Sequence, residues 1–260
     1  MKIASFNVNS LKARMENLKI WLKEAEPDVV CLQETKSTDE TFPRGDIEEL
    51  GYNLAIHGQK TYNGVAILSK FPLEDVQIGL PGDDGDDQAR YIEAVIPAGN
   101  TVLRVASIYL PNGNPLGTDK FTYKLGWMDR LKARAAELLT YEEAVVLAGD
   151  YNVIPTADDV YDPKAWEDDA LFQPESRAKL REIINLGFTD AFRACHTEPH
   201  RYTFWDYQAG RWKKGQGIRI DHLLLSPQAT DRLVSCDIDM EPRGREKPSD
   251  HTPIWAELRF

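Results

Sequence analysis

The stretch AVVLAGDYNVIP, residues 144–155, contains the feature on which the fold prediction rests. Its apolar beginning, AVVLAG, predicts a strand that is buried on both faces. The strand runs directly into Asp150 and Asn152, residue types that are common both in turns and in functional sites. Because side chains two apart on an extended chain point the same way, we expect Asp150 and Asn152 to share one face.

The composition is that of an ordinary globular protein. The chain has 260 residues, of which 42% are hydrophobic and 28% charged, with a formal net charge of −11. This negative charge argues against a protein that coats itself with nucleic acid, although a local basic surface is compatible with it. Cys31, Cys195 and Cys236 lack metal-type spacing, and no apolar run could span a bilayer or serve as a signal peptide. We therefore expect a cytoplasmic protein that does not bind membranes.

The rest of the chain alternates between strand and helix patterns. Ser10 is the expected N-cap of a first helix, and further helices are predicted near 121–139 and 176–186. Some strands are separated by helices and others by short turns such as SKFPLED, which predicts an α/β domain with mixed sheets. The acidic stretches 82–87 and 157–169 are expected to be solvated surface loops. The predicted strands are KIASF (2–6), DVVCLQ (28–33), YNLAIH (52–57), GVAILS (64–69), YIEAVIP (91–97), TVLRVASIYL (101–110), AVVLAG (144–149), IRIDHLLLS (218–226) and TPIWAELRF (252–260).

Polar residues recur at the ends of these strands. In α/β folds the strand ends are where the scaffold presents functional groups. One such residue is best explained as a helix cap or turn former, but six strand ends carrying acids, amides, a tyrosine and a histidine favour a common site. The residues are Asn7, Glu34, Tyr109, Asp150 with Asn152, Asp221, and Asp250 with His251.

These residue types indicate a particular chemistry. Carboxylates and amide oxygens without thiolates suit a hard cation such as Mg²⁺ or Mn²⁺. A hard cation beside Asp and His favours hydrolysis of a phosphate ester, in which a carboxylate handles the proton of water and an imidazolium stabilises phosphoryl charge. Asp221 is the candidate that orients His251 and favours its charged form. Neither a nucleophile elbow nor a phosphate-cradling GxxxxGK[ST] loop is present.

Seven motifs together resemble exonuclease III and its relatives, the Mg²⁺-dependent abasic-site endonucleases of base-excision repair within the endonuclease/exonuclease/phosphatase superfamily. They are FNVNSLKAR, CLQETK, IYLPNG, AGDYNVIPT, YTFWDY, IRIDHLLLS and SDHTPI. The resemblance runs in order from the first strand to within ten residues of the C-terminus. It implies one domain over 1–260, an α/β (α+β) four-layered sandwich in which two mixed sheets pack face to face with helices outside.

The resemblance also implies roles for the strand-end residues. Glu34 would be the leading metal ligand, with Asp250 and Asn7 contributing and with Asp150 and Asn152 adjoining the metal site. Asp150 would orient or deprotonate the attacking water or protonate the leaving oxygen, and Asn152 would bind phosphate or water. Tyr109 would contact the phosphate, which the pair Asp221 and His251 would bind and polarise. The cofactor is expected to be Mg²⁺, with Mn²⁺ able to substitute.

Two positions depart from the metazoan branch of the resembled family. Asn9 stands where that branch has an aspartate, in agreement with bacterial exonuclease III. Ile218 stands where that branch places a tryptophan at the abasic pocket. The pocket wall would then consist of Phe204, Trp205, Ile218 and Ile220.

The stretch YTFWDYQAGRWKKGQGIRID, residues 202–221, indicates the substrate. Interleaved aromatic and basic residues suit a DNA groove, since cations meet phosphates and rings stack on bases or fill the gap left by a missing one. Core packing is the competing interpretation for Phe204 and Trp205. The DNA-binding candidates here are Phe204, Trp205, Trp212, Arg211, Lys213, Lys214 and Arg219, and Arg90, Lys120, Tyr123 and Lys124 are further ones that could equally be ordinary surface residues.

The resemblance therefore predicts a monomer acting on double-stranded DNA with abasic or blocked 3′ ends. We expect incision 5′ to an abasic site, with 3′→5′ exonuclease and 3′-phosphatase or 3′-phosphodiesterase activity. The alternative is a superfamily phosphodiesterase for undamaged nucleic acid or for an inositol or lipid phosphate. A catalytically dead binding module is a third possibility, but it would be expected to lack one of the four acids Glu34, Asp150, Asp221 and Asp250, and all are present.

Overall fold

Twelve strands form two six-stranded mixed sheets in a computed structural model that describes residues 1–260. In spatial order the first sheet contains Leu233–Ile238 (β11), Ile254–Leu258 (β12), Lys2–Asn7 (β1), Val29–Gln33 (β2), Val65–Ser69 (β4) and Asn53–His57 (β3). It has one parallel pair, β1 with β2, and its other pairs are antiparallel.

The second sheet has the same kind of mixed pairing. In spatial order it contains Glu74–Ile78 (β5), Tyr91–Ala98 (β6), Thr101–Tyr109 (β7), Ala144–Asp150 (β8), Asp221–Leu225 (β10) and Thr189–Asp190 (β9). Its parallel pair is β7 with β8, and the remaining neighbours are antiparallel. The helices are Leu11–Ala25 (α1), Arg44–Glu48 (α2), Asp119–Leu139 (α3), Pro174–Ile184 (α4), Ala191–Cys195 (α5) and Pro227–Thr230 (α6).

The strand AVVLAG shows how the layers are built. All of β8 is buried, as its apolar run predicted. Val146 and Ala148 face a core shared by both sheets, whereas Val145 and Leu147 pack with α3 and α4 on the outer face. On the other side of the molecule α1 covers the outer face of the first sheet. The order helix, sheet, sheet, helix confirms the predicted four-layered α/β sandwich.

The helix and strand predictions differ from the structure mainly where burial is low. Helix α1 begins directly after Ser10, but the Ser10 side chain makes no capping hydrogen bond. Strand β5 overlaps the end of the predicted turn SKFPLED and was not predicted; it is short and all of its residues are exposed. The prediction of a solvated loop over 157–169 was wrong for Asp159, which is fully buried. None of the helices combines the length and the apolar composition that crossing a bilayer requires.

Gly149 allows β7 and β8 to approach closely just before Asp150. A Cβ atom at this position would lie 2.0 Å from the carbonyl oxygen of Ile108, its register partner on β7. The backbone of the neighbouring strand cannot move away without disturbing the sheet. Gly149 is therefore required for the pairing that carries Asp150 to its place.

Replacing Gly149 by alanine should destabilise the protein by about 1–3 kcal/mol, because the added methyl group overpacks the sheet. Urea unfolding should show the loss. The matched control is Gly126→Ala in α3, where a Cβ meets no atom within 4 Å. That substitution should leave stability unchanged or raise it by up to ~1 kcal/mol, since alanine favours the helix. Equal stability of both variants and wild type would contradict the close approach.

Candidate active site

In the second sheet β7 and β8 end, and the antiparallel β10 begins, at the same level. In the register of the sheet, Asp150 on β8 lies beside Tyr109 on β7 and beside Asp221 on β10. Residues far apart in the chain are thus placed side by side by strand pairing alone. This alignment forms one wall of the site.

Asn7 connects that wall to the first sheet. Its Nδ2 donates to Asp150 Oδ2 and to Glu34 Oε1, both at 2.9 Å. Its Oδ1 accepts the backbone N–H of Asn9 at 3.0 Å, which fixes the orientation of the amide. Asn7 therefore presents its NH₂ group, not its oxygen, to the two acids. In this arrangement Asn7 positions the candidate ligands, and its expected contribution to metal binding stays a prediction.

His251 lies between two carboxylates. Its Nδ1 donates to Asp221 Oδ2 at 2.8 Å, and its Nε2 lies 3.7 Å from Asp150 Oδ2. Burial opposes the imidazolium, but the negative charges of Asp221 and Asp150 outweigh it and raise the pKa of His251 to about 10. The ring of Phe204 packs edge-on against the imidazole with centroids 5.0 Å apart. At neutral pH the site thus contains a fixed positive charge.

The surroundings of His251 favour its charged form, whereas those of Asp150 favour its neutral form. Burial and, more weakly, the negative charge of Asp221 raise the pKa of Asp150 to about 7, although His251 and the hydrogen bond from Asn7 work against the shift. A carboxyl group with such a pKa exchanges a proton readily near neutral pH, which is the requirement for a general acid or base. The backbone N–H of Asn152 donates to Asp150 Oδ1 at 2.9 Å and holds the carboxyl in place.

Glu34 remains ionised. Burial acts to raise the pKa of Glu34, but hydrogen bonds from Asn7 and Lys36 and the charge of Lys36 hold it below its usual value. Lys36 Nζ lies 2.9 Å from Glu34 Oε2 and donates to Asn9 Oδ1 at 2.6 Å. Asn9 Nδ2 in turn donates to Asp250 Oδ1 at 3.0 Å. Asp250 is therefore connected to Glu34 through Asn9 and Lys36.

A hard cation fits this donor set. One ligand atom each from Glu34, Asp150 and His251 lie within 4.8 Å of one another, with no thiolate nearby. Because His251 is protonated and held by Asp221, the carboxylates of Glu34 and Asp150 are the available donors. Oxygen donors of this kind suit a divalent cation such as Mg²⁺. Asp250 lies outside this compact group, so its expected part in metal binding is not seen in the geometry.

Three residues of the site have left-handed backbone conformations. Asn9, Glu34 and Asn152 have φ values of 42°, 51° and 47°, in the left-handed region that non-glycine residues rarely adopt. Such conformations persist where the surroundings enforce them, and they cluster at functional sites. Since β8 ends at Asp150 and Asn152 is left-handed, the expectation that both side chains share the face of an extended strand was wrong.

Tyr109 and Arg90 form a pair at the rim. Burial and the negative charges of Glu34 and Asp150 keep the pKa of Tyr109 well above its usual value, so its hydroxyl remains a donor. The guanidinium of Arg90 stacks on the Tyr109 ring at 4.8 Å and its Nη1 donates to the Tyr109 carbonyl oxygen at 3.3 Å. Arg90, expected as a DNA contact, thus lies close to the site and supports Tyr109.

The candidates for DNA binding divide into two groups. Phe204, Trp212 and Arg90 are partly exposed, and Lys120 is exposed on the first turn of α3. Trp205, Ile218 and Ile220 are buried, so the expectation that they form an accessible pocket wall is corrected. Their burial follows from packing: Ile218 and Ile220 belong to an apolar cluster with Ile154 and Phe172, and Trp205 lies edge-on to Trp212.

Two basic candidates were placed wrongly on the DNA surface. Arg219 is fully buried, where its Nε donates to Asp159 Oδ1 at 2.7 Å and its Nη1 donates to Asp190 Oδ2 at 2.8 Å. Lys124 is also fully buried, with its Nζ 2.5 Å from the carbonyl oxygen of Asn152. Both side chains are hydrogen-bonded inside the protein, so neither is free to meet a phosphate.

Three residues of the site were not assigned a role from the sequence, although each lies in one of the quoted motifs. Lys36 pairs with Glu34, two residues away, and Thr203 Oγ1 accepts the backbone N–H of Asp221 at 3.1 Å. Ser249 Oγ donates to the Asn7 carbonyl oxygen at 2.7 Å. The contacts of Thr203 and Ser249 join segments that are far apart in the chain, so a local pattern does not show them.

Comparison with known proteins agrees with this geometry. The model of the Endonuclease/Exonuclease/phosphatase family matches residues 4–251. The chain is 34% identical to exodeoxyribonuclease III of Haemophilus influenzae, with both chains covered completely. The chain belongs to this family, in its exonuclease III group. The resemblance drawn from the motifs is confirmed, and the protein is a hydrolase of the nuclease kind.

Solved structures of this nuclease group have the same fold. An AP endonuclease from Archaeoglobus fulgidus superposes with a TM-score of 0.94 at 38% identity, with both chains fully covered. A 3′ phosphatase, NExo from Neisseria, bound to a product DNA hairpin, superposes with a TM-score of 0.95 at 36% identity, again over both complete chains. The two six-stranded sheets are therefore those of an exonuclease III-type nuclease.

Arg219→Met should destabilise the nuclease by about 3 kcal/mol, because it leaves the buried carboxylates of Asp159 and Asp190 without their shared cation. Urea unfolding measures the change. Lys132→Met is the control, since Lys132 pairs with Glu182 at the exposed surface of α3 and its loss should not be measurable. If Arg219→Met had unchanged stability but bound duplex DNA more weakly, Arg219 would instead be a DNA contact.

Proposed function

We propose that this nuclease is a Mg²⁺-dependent DNA-repair enzyme that hydrolyses the phosphodiester bond 5′ to an abasic site in duplex DNA. It also has 3′→5′ exonuclease and 3′-phosphatase or 3′-phosphodiesterase activity. The observation that carries the proposal is the geometry around Asp150. Asp150 Oδ2 lies 3.7 Å from His251 Nε2, the imidazole is held by Asp221 at 2.8 Å, and one ligand atom each of Glu34, Asp150 and His251 lie within 4.8 Å of one another.

Each residue has a role that follows from its charge state. The His251 imidazolium, held by Asp221, binds and polarises the scissile phosphate. Asp150 takes the proton of the attacking water or returns one to the leaving oxygen. Tyr109 donates a hydrogen bond to the phosphate. Asn152, beside Asp150, is a ligand of the phosphate or of water.

The metal would be held by Glu34 and Asp150, with Asp250 and Asn152 nearby; Mn²⁺ is expected to substitute for Mg²⁺. When bound, the cation neutralises charge on the phosphoryl oxygens. Asn7 and Lys36 keep Glu34 ionised and in position for this task. The chain acts as a monomer.

DNA is the substrate that the surroundings of the site favour. Phe204 is partly exposed beside His251, and Trp212 is partly exposed in the same loop as the exposed Lys213 and Lys214. Rings stack on bases or occupy the gap of a missing base, and lysines meet phosphates. The relatives support the same class, since they include an AP endonuclease and a phosphatase bound to a DNA hairpin.

A labelled duplex with one abasic-site analogue tests this function. The wild-type protein should cut it once, on the 5′ side of the lesion, with Mg²⁺ and not with EDTA. Asp150→Asn should lower the rate about 10²–10⁴-fold, because it removes the group that handles the proton. Asp158→Asn, an exposed acid outside the site, is the control and should cut at the wild-type rate.

Three results would count against the proposal. Hydrolysis of an inositol phosphate without cleavage at the lesion would favour the alternative, a phosphatase of the same superfamily. Equal cleavage of intact and abasic duplexes would indicate a nuclease for undamaged DNA. Full activity in EDTA would show that the reaction does not need a metal ion.

Cleavage should also depend steeply on salt. If Lys120, Lys213 and Lys214 each meet one phosphate, counterion release predicts a loss of about 40-fold in affinity between 50 and 200 mM salt, with a slope of about −0.9 per contact. The double substitution Lys213→Gln and Lys214→Gln should lower the slope by about 2, whereas Lys132→Gln should leave it unchanged. A flat salt response of the wild-type protein would argue against a DNA substrate.

A further inference from the structure

Lys124 is a buried lysine directly behind the candidate active site. It lies in α3 on the side that packs against the second sheet, among Trp127, Met128 and Leu131. It has no carboxylate partner within salt-bridge distance. Instead its Nζ donates to the carbonyl oxygen of Asn152 at 2.5 Å and to that of Asn112 at 3.1 Å. A lysine without an ion pair is unusual in a protein interior.

The two carbonyl groups belong to the two loops that carry the site. Asn112 follows Tyr109 after β7, and Asn152 follows Asp150 after β8. The loops are also joined directly, since Asn152 Nδ2 donates to the Leu110 carbonyl oxygen at 2.9 Å. Lys124 adds a third element, α3, to this connection. Its hydrogen bonds fix both loops to a helix that is anchored in the core.

The hold on Asn152 matters because of its backbone conformation. Asn152 has a φ of 47°, in the left-handed region that non-glycine residues adopt only where their surroundings enforce it. The Lys124 hydrogen bond constrains the carbonyl of this residue, and the Asn152 N–H constrains Asp150 Oδ1. The path from Lys124 to Asp150 therefore consists of two hydrogen bonds through one residue.

The space for the lysine stem is provided by Gly113. Its φ is +89°, and a Cβ atom there would lie 2.6 Å from Lys124 Cδ. The loop after β7 is thus shaped around the lysine. Either protonation state of Nζ has enough N–H groups for both carbonyls, so the arrangement needs no particular charge.

We propose that Lys124 is a positioning residue of the nuclease: it holds the Tyr109 and Asp150 loops in register so that Asp150 and Asn152 meet the scissile phosphate in the reactive geometry. The inference rests on the proposed function of Asp150 for its effect on rate. It does not need Lys124 to touch DNA, and it replaces the DNA-contact role that the sequence had suggested.

Lys124→Met tests the inference, because methionine fills a similar volume without a donor. With the abasic duplex, kcat should fall about 10²-fold and KM should change less than threefold, since a misplacement of about 1 Å costs that much in rate without altering phosphate binding. Amide hydrogen exchange should become faster in 110–115 and 150–154 and stay unchanged in α1. Lys132→Met, on the same helix, is the control and should match wild type in kcat and in exchange.

Lys124→Gln serves as a second variant if Lys124→Met does not fold by circular dichroism, because glutamine keeps a shorter donor. It should fall between Lys124→Met and wild type in kcat. A folded variant with wild-type kcat and wild-type exchange in both loops overturns the inference. A raised KM with unchanged kcat also overturns it, in favour of a DNA contact. If the wild-type protein fails to cut the abasic duplex, the proposed function fails, and the exchange measurement still decides whether Lys124 holds the loops.

Discussion

A carboxyl group buried between two sheets must be satisfied from several directions, and Asp150 imposes this requirement on the whole site. Its neighbours come from both sheets: Asn7 from β1, the N–H of Asn152 from the adjoining loop, and His251 from the segment before β12. These partners lie far apart in the chain, so they can meet only if the sheets pack in one way. The sheets must therefore pack correctly before the hydrogen bonds and charges of the site can form.

The charges around Asp150 are separated rather than cancelled. Asp221 holds His251 in its positive form, while burial favours the neutral form of Asp150. On the other side, Asn7 and Lys36 keep Glu34 negative. Neighbouring groups whose environments move their pKa values in opposite directions can divide the work of an acid, a base and a metal ligand. Asp150, Asp221 and His251 are buried, which strengthens the interactions between these charges.

Behind this site lies a second set of buried charges that is structural. Arg219 is shared by Asp159 and Asp190, and Lys124 is committed to two backbone carbonyls. Arg219 was a candidate for DNA contact because it lies in a stretch of basic and aromatic residues, and Lys124 was a candidate that could equally be an ordinary surface residue. A basic residue near aromatic residues has the same local pattern whether its partner is a phosphate outside or an acid inside. The choice is made by contacts across 12 to 60 residues of chain.

The sequence by itself determined nine of the twelve strands, the mixed sheets and the set of polar residues at strand ends; β5, β9 and β11 were found only in the structure. It did so because the apolar run of β8 and the helical spacing of apolar residues on α1 and α3 are local patterns of sequence. The seven motifs also occur in the order of the family. Only the tertiary structure decided which of these residues touch. It showed that Asn7 turns its NH₂ group to the acids, that Asn152 leaves the extended conformation, and that Lys124 and Arg219 face inward. The physical reason is that hydrogen-bond direction, backbone strain and burial depend on partners brought together by sheet register and layer packing, which no single segment of the chain contains.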